Sequence, residues 1–313
     1  MRRFFGFILS ASAACSALWA CTPSTPYRYS ALVPAARPLA WNGRTATDGS
    51  LRVEGTLNAA TVNENISPKL HDTAVWVPKA TVDTNAAIAV APGVEVGGRF
   101  SYASFAWARQ SANGTMPIPN SPAVYGVGPE LRVTVPLDRE KKFALGFAGN
   151  VMRYMIPVAE WTKTAGCTAP ATCVTDTSTS ELGGTTYKLT DHRVDGHWVY
   201  NVGLYPSMAL GDRGDLGHVI GYLGFHLAFE NDGFTDTKNT KGAAEGAGPL
   251  TILGAGYGFS AQPFRVAFML YKPLTGRDSP VSYGLGGFLS IGVDLELWQS
   301  EEARYGHRAP SGM

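Results

Sequence analysis

The sequence predicts an all-β chain folded as an up-and-down antiparallel transmembrane β-barrel of about ten strands. Three observations carry this prediction. Apolar and polar residues alternate in ten separate runs, as expected of strands with one apolar face. Short and long polar connections join the runs in alternation, which is typical of a barrel with tight turns on one side of a membrane and long loops on the other. Charged residues make up 16% of the chain, against roughly 25% in soluble domains.

The ten runs follow one another along the chain after residue 50. They lie at residues 51–58, 76–90, 94–102, 125–135, 143–151, 197–210, 218–230, 253–259, 264–271 and 281–297. Tight turns are expected at 91–93, 138–140, 211–215 and 262–263, and long loops near 62–73, 110–122, 157–193, 231–248 and 274–280. Many runs reach the ~9–11 residues that a tilted strand needs to cross hydrocarbon. After the first 20 residues no stretch is apolar enough for a transmembrane helix, so any crossing is made by strands.

Alternation alone leaves open which face of the strands lies outside. A soluble β-sandwich or lipocalin-like calyx would bury the apolar face instead. The polar faces here are mostly Gly, Ala, Ser and Asn, and aromatic residues stand at the ends of the apolar faces, like the interfacial girdles of a membrane barrel. The aromatic residues are Trp76, Tyr125, Trp198, Tyr200, Phe229 and Tyr283 at the loop ends, and Phe143, Phe259 and Phe264 at the turn ends. Both features favour the membrane.

The first residues form a secretory signal peptide. Two arginines precede an apolar run from Phe4 to Ala20, and the run ends at Cys21. This ending resembles a bacterial lipobox, although Trp19 is bulkier than the usual residue; ordinary signal-peptidase cleavage nearby is the alternative. We therefore expect a signal peptide at 1–20, a flexible, lipidated tether at 21–48, the barrel at 49–298 and a polar tail at 299–313.

Cysteine parity agrees with lipidation at Cys21. Once the signal peptide is removed, Cys21, Cys167 and Cys173 remain. The last two share a polar segment and can close a small disulfide loop in an oxidising compartment. A metal site is the weaker alternative, because neither His nor further Cys lies at ligand spacing around the pair. The sequence predicts no metal and no cofactor.

The polar faces of the runs carry charges that point into the lumen of a barrel. The predicted lumen network consists of Arg52, Glu54, Lys79, Asp83, Glu95, Arg99, Glu130, Arg132, Arg265, Asp294 and Glu296. About eight strands leave an interior just filled by side chains, whereas 16–18 leave a channel. Ten strands lie near the filled limit. The network is thus expected to be a packed set of ion pairs, with a narrow polar pore as the alternative.

Two cations, Arg153 and Lys272, interrupt the outward apolar face near the loop ends. Their stems can lie along lipid while the charges reach the head groups. Contact with lipopolysaccharide phosphates is one hypothesis, and simple snorkelling without specific lipid binding is the other.

The last strand carries a recognisable motif. Residues 290–297, Ser-Ile-Gly-Val-Asp-Leu-Glu-Leu, alternate polar and apolar positions around a glycine. The motif resembles the terminal strand of Gram-negative outer-membrane β-barrel proteins, and the likeness by pattern covers roughly residues 50–298. This chain differs from those proteins in the polar tail that follows the strand, because the strand normally ends the chain. The resemblance implies a bacterial outer-membrane location, insertion by the barrel-assembly machinery and, with Cys21, contact with the lipoprotein-sorting machinery.

The sequence gives an architecture but no reaction. A net charge of +1 provides no field that would recruit nucleic acid. We expect a barrel lipoprotein of structural, adhesive or weakly pore-forming role, with outer-membrane lipids as partners. A small porin or transporter for polar solutes is the alternative. A rim hydrolase using His192 or His197 is less favoured, because no activated partner for a general base is evident; an enzyme is not expected.

Overall fold

A ring of ten antiparallel strands closes on itself to form the barrel. The computed structural model describes residues 27–32, 34–63, 73–110, 123–163, 179–182, 185–211, 216–229, 250–274 and 282–297. The signal peptide, Cys21, the proposed Cys167–Cys173 pair and the tail lie outside these ranges. No helix within them is long and apolar enough to span a membrane.

The described residues form fourteen strands, and ten of them make the ring. They are β1 (Tyr27–Leu32), β2 (Ser50–Asn63), β3 (Thr73–Pro78), β4 (Ala80–Ala91), β5 (Val94–Ser104), β6 (Ala108–Gln110), β7 (Ala123–Pro136), β8 (Phe143–Lys163), β9 (Thr179–Leu182), β10 (Thr185–Ala209), β11 (His218–Phe229), β12 (Leu250–Ala261), β13 (Phe264–Leu274) and β14 (Ser282–Glu296). The wall runs β2, β4, β5, β7, β8, β10, β11, β12, β13, β14 and back to β2. A 3-10 turn, Phe105–Trp107, precedes β6.

The wall has a short-turn end and a long-loop end, as predicted. At the short-turn end, Pro92 and Gly93 join β4 to β5, and Gln262 and Pro263 join β12 to β13. Gly93 has a φ of 79°, a left-handed conformation that favours glycine in a tight turn. The closing ladder pairs β14 with β2 from Glu296↔Ser50 to Ser282↔Asn63. Closure leaves no free edge in the wall, as a bilayer requires.

The apolar face of the wall lies outside. Leu57, Val127 and Ile291 expose 54%, 60% and 55% of their surface, while the charged residues of the opposite face are buried. An apolar outer face cannot be stable in water over a whole barrel, but it suits lipid tails. This arrangement confirms the prediction of a transmembrane barrel, and the soluble sandwich or calyx is wrong.

The strands β8 and β10 extend well past the rest of the wall at the long-loop end. They stay paired from Met208↔Phe143 to Tyr187↔Lys163, with one bulge between Leu189 and Asp191. The prediction of a loop over 157–193 is therefore wrong at both of its ends. The extension is stable as a sheet because β1 pairs with the free edge of β8 and β3 pairs with β1. Trp161 is fully buried in a small apolar core there.

The predicted aromatic girdle needs two corrections, of which one is Trp76: it lies on β3, outside the wall, and packs against Phe105 and the small apolar core. Tyr125 and Trp198 are exposed on the outer face at the loop end, and Phe143 and Phe264 at the turn end. Tyr283, in contrast, is 5% exposed and packs inside with Ala35, Ala36 and Val77. The register of β14 shifts between Tyr283 and Gly286. A one-residue shift reverses the face to which a side chain points, and alternation read through it gives the wrong side.

Candidate functional site: a lumen closed by the N-terminal segment

Most predicted lumen residues lie inside the wall. Arg52, Glu54, Asp83, Glu95, Arg99, Glu130, Arg132, Arg265 and Asp294 point inward and are buried or nearly so. Lys79 and Glu296 are exposed, and their assignment to the lumen is wrong. Lys79 lies at the bend between β3, which is outside the wall, and the wall strand β4. Glu296 ends β14 at the short-turn mouth, where its carboxylate meets solvent.

Arg132 is the centre of the ion-pair network. It is fully buried on β7, and its guanidinium lies 2.6 Å from Glu130, 2.7 Å from Glu54 and 3.6 Å from Glu95. Arg99 contacts the other carboxylate oxygen of Glu130 at 2.5 Å. Because buried charges are tolerated only when they are paired and hydrogen-bonded, each of these groups depends on the others.

A second group of pairs continues the network toward the short-turn end. Arg52 lies 3.1 Å from both Glu95 and Asp294. Arg265 also contacts Asp294. Both arginines thus share one carboxylate, and Glu95 links them back to Arg132. The strands β2, β5, β7, β13 and β14 are cross-linked by these contacts around much of the wall.

Residues 34–49, which we call the plug segment, run through the lumen from the long-loop end to the short-turn end. Ala35 and Ala36 pack near the loop end against Tyr283. At the other end, the Arg44 guanidinium donates to the carbonyl of Lys142 in the β7–β8 turn, at 3.1 Å. The chain then enters the wall at Ser50. The prediction of a flexible tether over 21–48 is wrong for residues 34–48, because residues 35–43 are buried and the segment bonds to the wall near both ends.

Side chains of the wall hold the plug segment by bonding to its backbone carbonyls. Tyr205 donates to the Leu39 carbonyl at 2.6 Å, and Arg99 donates to the Ala40 carbonyl at 3.2 Å. The His218 ring lies 2.6 Å from the Asn42 carbonyl. These bonds satisfy backbone groups that would otherwise be buried without partners. They explain how an irregular segment is stable at membrane depth inside a protein wall.

The side chain of Arg37 joins the plug segment to the charged network. Its guanidinium lies 2.8 Å from Asp83 Oδ1 and donates to Ser101 Oγ at 2.6 Å and to the Tyr154 hydroxyl at 3.3 Å. Asp83 also accepts from Asn58 at 2.8 Å. Arg37 is thus the plug residue with the most polar contacts to the wall that the structure describes.

Arg37 also balances the buried charge. The wall residues of the described network comprise four arginines and five carboxylates, namely Arg52, Arg99, Arg132 and Arg265 with Glu54, Asp83, Glu95, Glu130 and Asp294. The Arg37 guanidinium makes the count five against five. Without the plug segment the wall network carries one uncompensated negative charge.

Trp41 fills the middle of the lumen. Its ring is fully buried, packs edge-on to Tyr205 with centroids 5.0 Å apart, and lies 5.8 Å from the Arg132 guanidinium. Gly146 provides the space, since a Cβ there would stand 2.7 Å from the ring. Beside the plug segment there is a polar cavity of about 10 Å³, lined in part by His226 and Asn150. It has room for about one water molecule.

Solved structures similar to this chain are membrane barrels. An outer membrane channel from Pseudomonas putida F1 matches at 9% identity over 83% of this chain and 100% of its own, with a TM-score of 0.43. The translocator domain of the autotransporter NalP from Neisseria meningitidis matches at 11% over 80% and 89%, with a TM-score of 0.37. LpxR from Salmonella typhimurium matches at 9% over 78% and 99%, with a TM-score of 0.36.

These likenesses are too distant to carry an argument about function. No family model matches the sequence, and no curated protein matches it. The closed antiparallel ladder, the even strand number and the outward apolar belt define the fold without them. It is that of a bacterial outer-membrane β-barrel, and the chain resides in that membrane.

The remaining predicted residues lie outside the lumen network. Arg153 is on the outer face near the loop end, with its guanidinium 5.1 Å from the Trp198 ring. Lys272 is exposed on β13 and donates to the carbonyl of Tyr283 at 2.6 Å. His192 is exposed on the extension of β10. His197 is buried on the same strand, where it pairs in register with Tyr154 of β8.

Sequence reasoning missed Arg37 and Trp41, which do most to close the lumen. The Pro- and Ala-rich composition around them has no strand period, and such a segment resembles a linker. One signal was present. The predicted network held six carboxylates and five cations, so it lacked a cation that a nearby segment had to supply.

Proposed function

We propose that this protein is a non-conducting outer-membrane barrel that presents its loop end at the cell surface, with a structural or adhesive role. The observation that supports this most is the plug segment, which occupies the lumen from Ala35 to Ala46 and bonds to the wall on several sides. A permanently open porin would need that space for solute. We propose no enzymatic activity, and Cys21 remains the proposed lipid acceptor.

A small porin or transporter is the second candidate. The uncompensated carboxylate of the wall network favours it, because a lumen without the plug segment would be polar and would attract cations. In that case the plug segment would have to leave its position before solute passes. The bonds of Arg37 and of the Leu39, Ala40 and Asn42 carbonyls would all have to break.

Conductance of the intact protein separates these two candidates. We expect the folded mature protein, inserted into planar bilayers, to give no open steps above background, because the plug segment fills the lumen. Heat-modifiable migration in detergent gels shows that the same preparation is folded. Regular open steps from folded wild-type protein would contradict the closed barrel and favour the porin.

We further propose that Arg153 and Lys272 contact lipopolysaccharide phosphates at the outer leaflet. Both cations lie on the outer face near the loop end, and Arg153 is supported by the Trp198 ring and packs over Gly196. Replacing both with Gln is expected to lower lipopolysaccharide retention during purification several-fold. Lys142→Gln, at the short-turn end, is the control and should retain it. Unchanged retention in the double variant would contradict specific lipopolysaccharide contact and favour simple snorkelling of both side chains.

A further inference from the structure

The position of β1 determines on which side of the membrane the chain begins. Tyr27 pairs with Thr162 and Ala31 pairs with Val158, antiparallel, on the far part of β8. The strand β8 starts at Phe143, beside the short β7–β8 turn. The residues before Tyr27 therefore leave the described structure at the long-loop end, opposite the short turns.

The height of this exit above the membrane follows from strand geometry. Thr162 is 19 residues beyond Phe143 (162 − 143), about 63 Å along the strand at ~3.3 Å per residue and about 45 Å along the barrel axis at a tilt near 45°. The apolar band of such a barrel is about 25 Å tall. Tyr27 thus lies roughly 20 Å beyond the outer edge of the band.

Covalent reach limits where Cys21 can be. Six Cα-to-Cα steps separate it from Tyr27 (27 − 21), and six such steps span at most about 20 Å when the chain is fully extended. Cys21 can return to the outer leaflet, but it cannot reach the periplasmic leaflet at the opposite end of the barrel. A path around the outside is too long, and a path through the wall is closed by the ladder.

The plug segment connects β1 at the long-loop end to the start of β2 at the short-turn end. Residues between β1 and β2 traverse the lumen with wall contacts near both ends, Arg37 to Tyr154 and Asn42 to His218 among them. We propose that this barrel carries its own N-terminal segment through the lumen to the external side, where the residues before Tyr27 are presented at the cell surface. An acyl group on Cys21, which rests on the proposed lipidation, would then enter the outer leaflet rather than the periplasmic one.

Epitope placement on intact cells tests this proposal. A short tag is inserted between Thr25 and Pro26 of the full chain. One control tag follows Arg139 in a short turn, and another is inserted between Phe229 and Leu250, in the connection from β11 to β12. We expect antibody to detect the N-terminal tag and the loop tag on intact cells with no gain on permeabilisation. The turn tag should be detected only after permeabilisation.

The result is decided by which control the N-terminal tag follows. If it behaves like the turn tag, the proposal is overturned, whichever side the barrel faces. Heat-modifiable migration confirms that each tagged barrel is folded. Should the insertion prevent folding, Thr25→Cys labelled with a membrane-impermeant maleimide, compared with the parent chain, gives the same readout. Palmitate incorporation lost in Cys21→Ser reports lipidation separately, and conductance reports the proposed function, so the three can fail independently.

Discussion

Replacing residues 34–48 with a glycine–serine segment of equal length is expected to convert the barrel from silent to conducting. The replacement removes the buried Trp41 ring and the Arg37 guanidinium, so that the backbone carbonyls at positions 39 and 40 lose the side chains that hold them beside Tyr205 and Arg99. A polar ten-stranded lumen without a bonded filling admits water and ions. Planar-bilayer recordings should then show regular open steps, with a reversal potential that indicates a preference for cations, because five carboxylates face four arginines.

A point substitution provides a sharper version of the same test. Gly146→Val places side-chain atoms where the Trp41 ring and the Gly43 carbonyl now lie, so it should loosen the plug segment and give partial conductance. Gly55→Val is the matched control, since a Cβ there meets nothing within 4 Å and Gly55 faces outward. Silence of the glycine–serine variant in a folded barrel would show that the plug segment is not what closes the lumen.

Arg132→Met is expected to destabilise the barrel by about 3–5 kcal/mol, because it leaves several carboxylates buried without their central partner. Glu54 loses the contact at 2.7 Å, and Glu130 loses the one at 2.6 Å. The Ala40 carbonyl and the Trp41 ring also lose a neighbour. Reversible urea unfolding in lipid vesicles measures the change in the free energy of unfolding.

Lys142→Met is the control for that measurement. Its ion pair with Glu140 is at the surface, with 41% and 71% of the side chains exposed, and such pairs contribute about 0–1 kcal/mol. A similar small change in both variants would mean that the lumen network does not hold the wall together. The contrast tests burial directly, because both substitutions remove one cation from an ion pair.

The wall could be predicted because alternation reports a local property. Each run with one apolar face becomes a strand, and the count of runs with short and long connections gives an even, closed ring. The same logic placed Arg52, Arg99 and Arg132 on the inner face. It failed at Tyr283, where a register shift changes the face, and at Lys79, which lies at a bend just before the chain enters the wall.

The extension of β8 and β10 shows a different kind of failure. The region over 157–163 looks polar or irregular because it is not bounded by lipid. Its strands are stable through partners distant in sequence, such as β1, which pairs with β8 across more than a hundred residues. A local pattern carries no information about such a partner.

The sequence alone determined the ten wall strands, most of their inward and outward faces, the barrel and its membrane, because each follows from the order of apolar and polar residues along a short stretch. Only the tertiary structure decided that residues 34–49 fill the lumen and that β1 emerges at the loop end. Those features depend on contacts between Arg37 and Asp83, or Leu39 and Tyr205, whose partners lie far apart in the chain. Residues 34–49 have the composition of a linker, but they are ordered because charged and polar side chains of the closed wall bond to them inside the lumen.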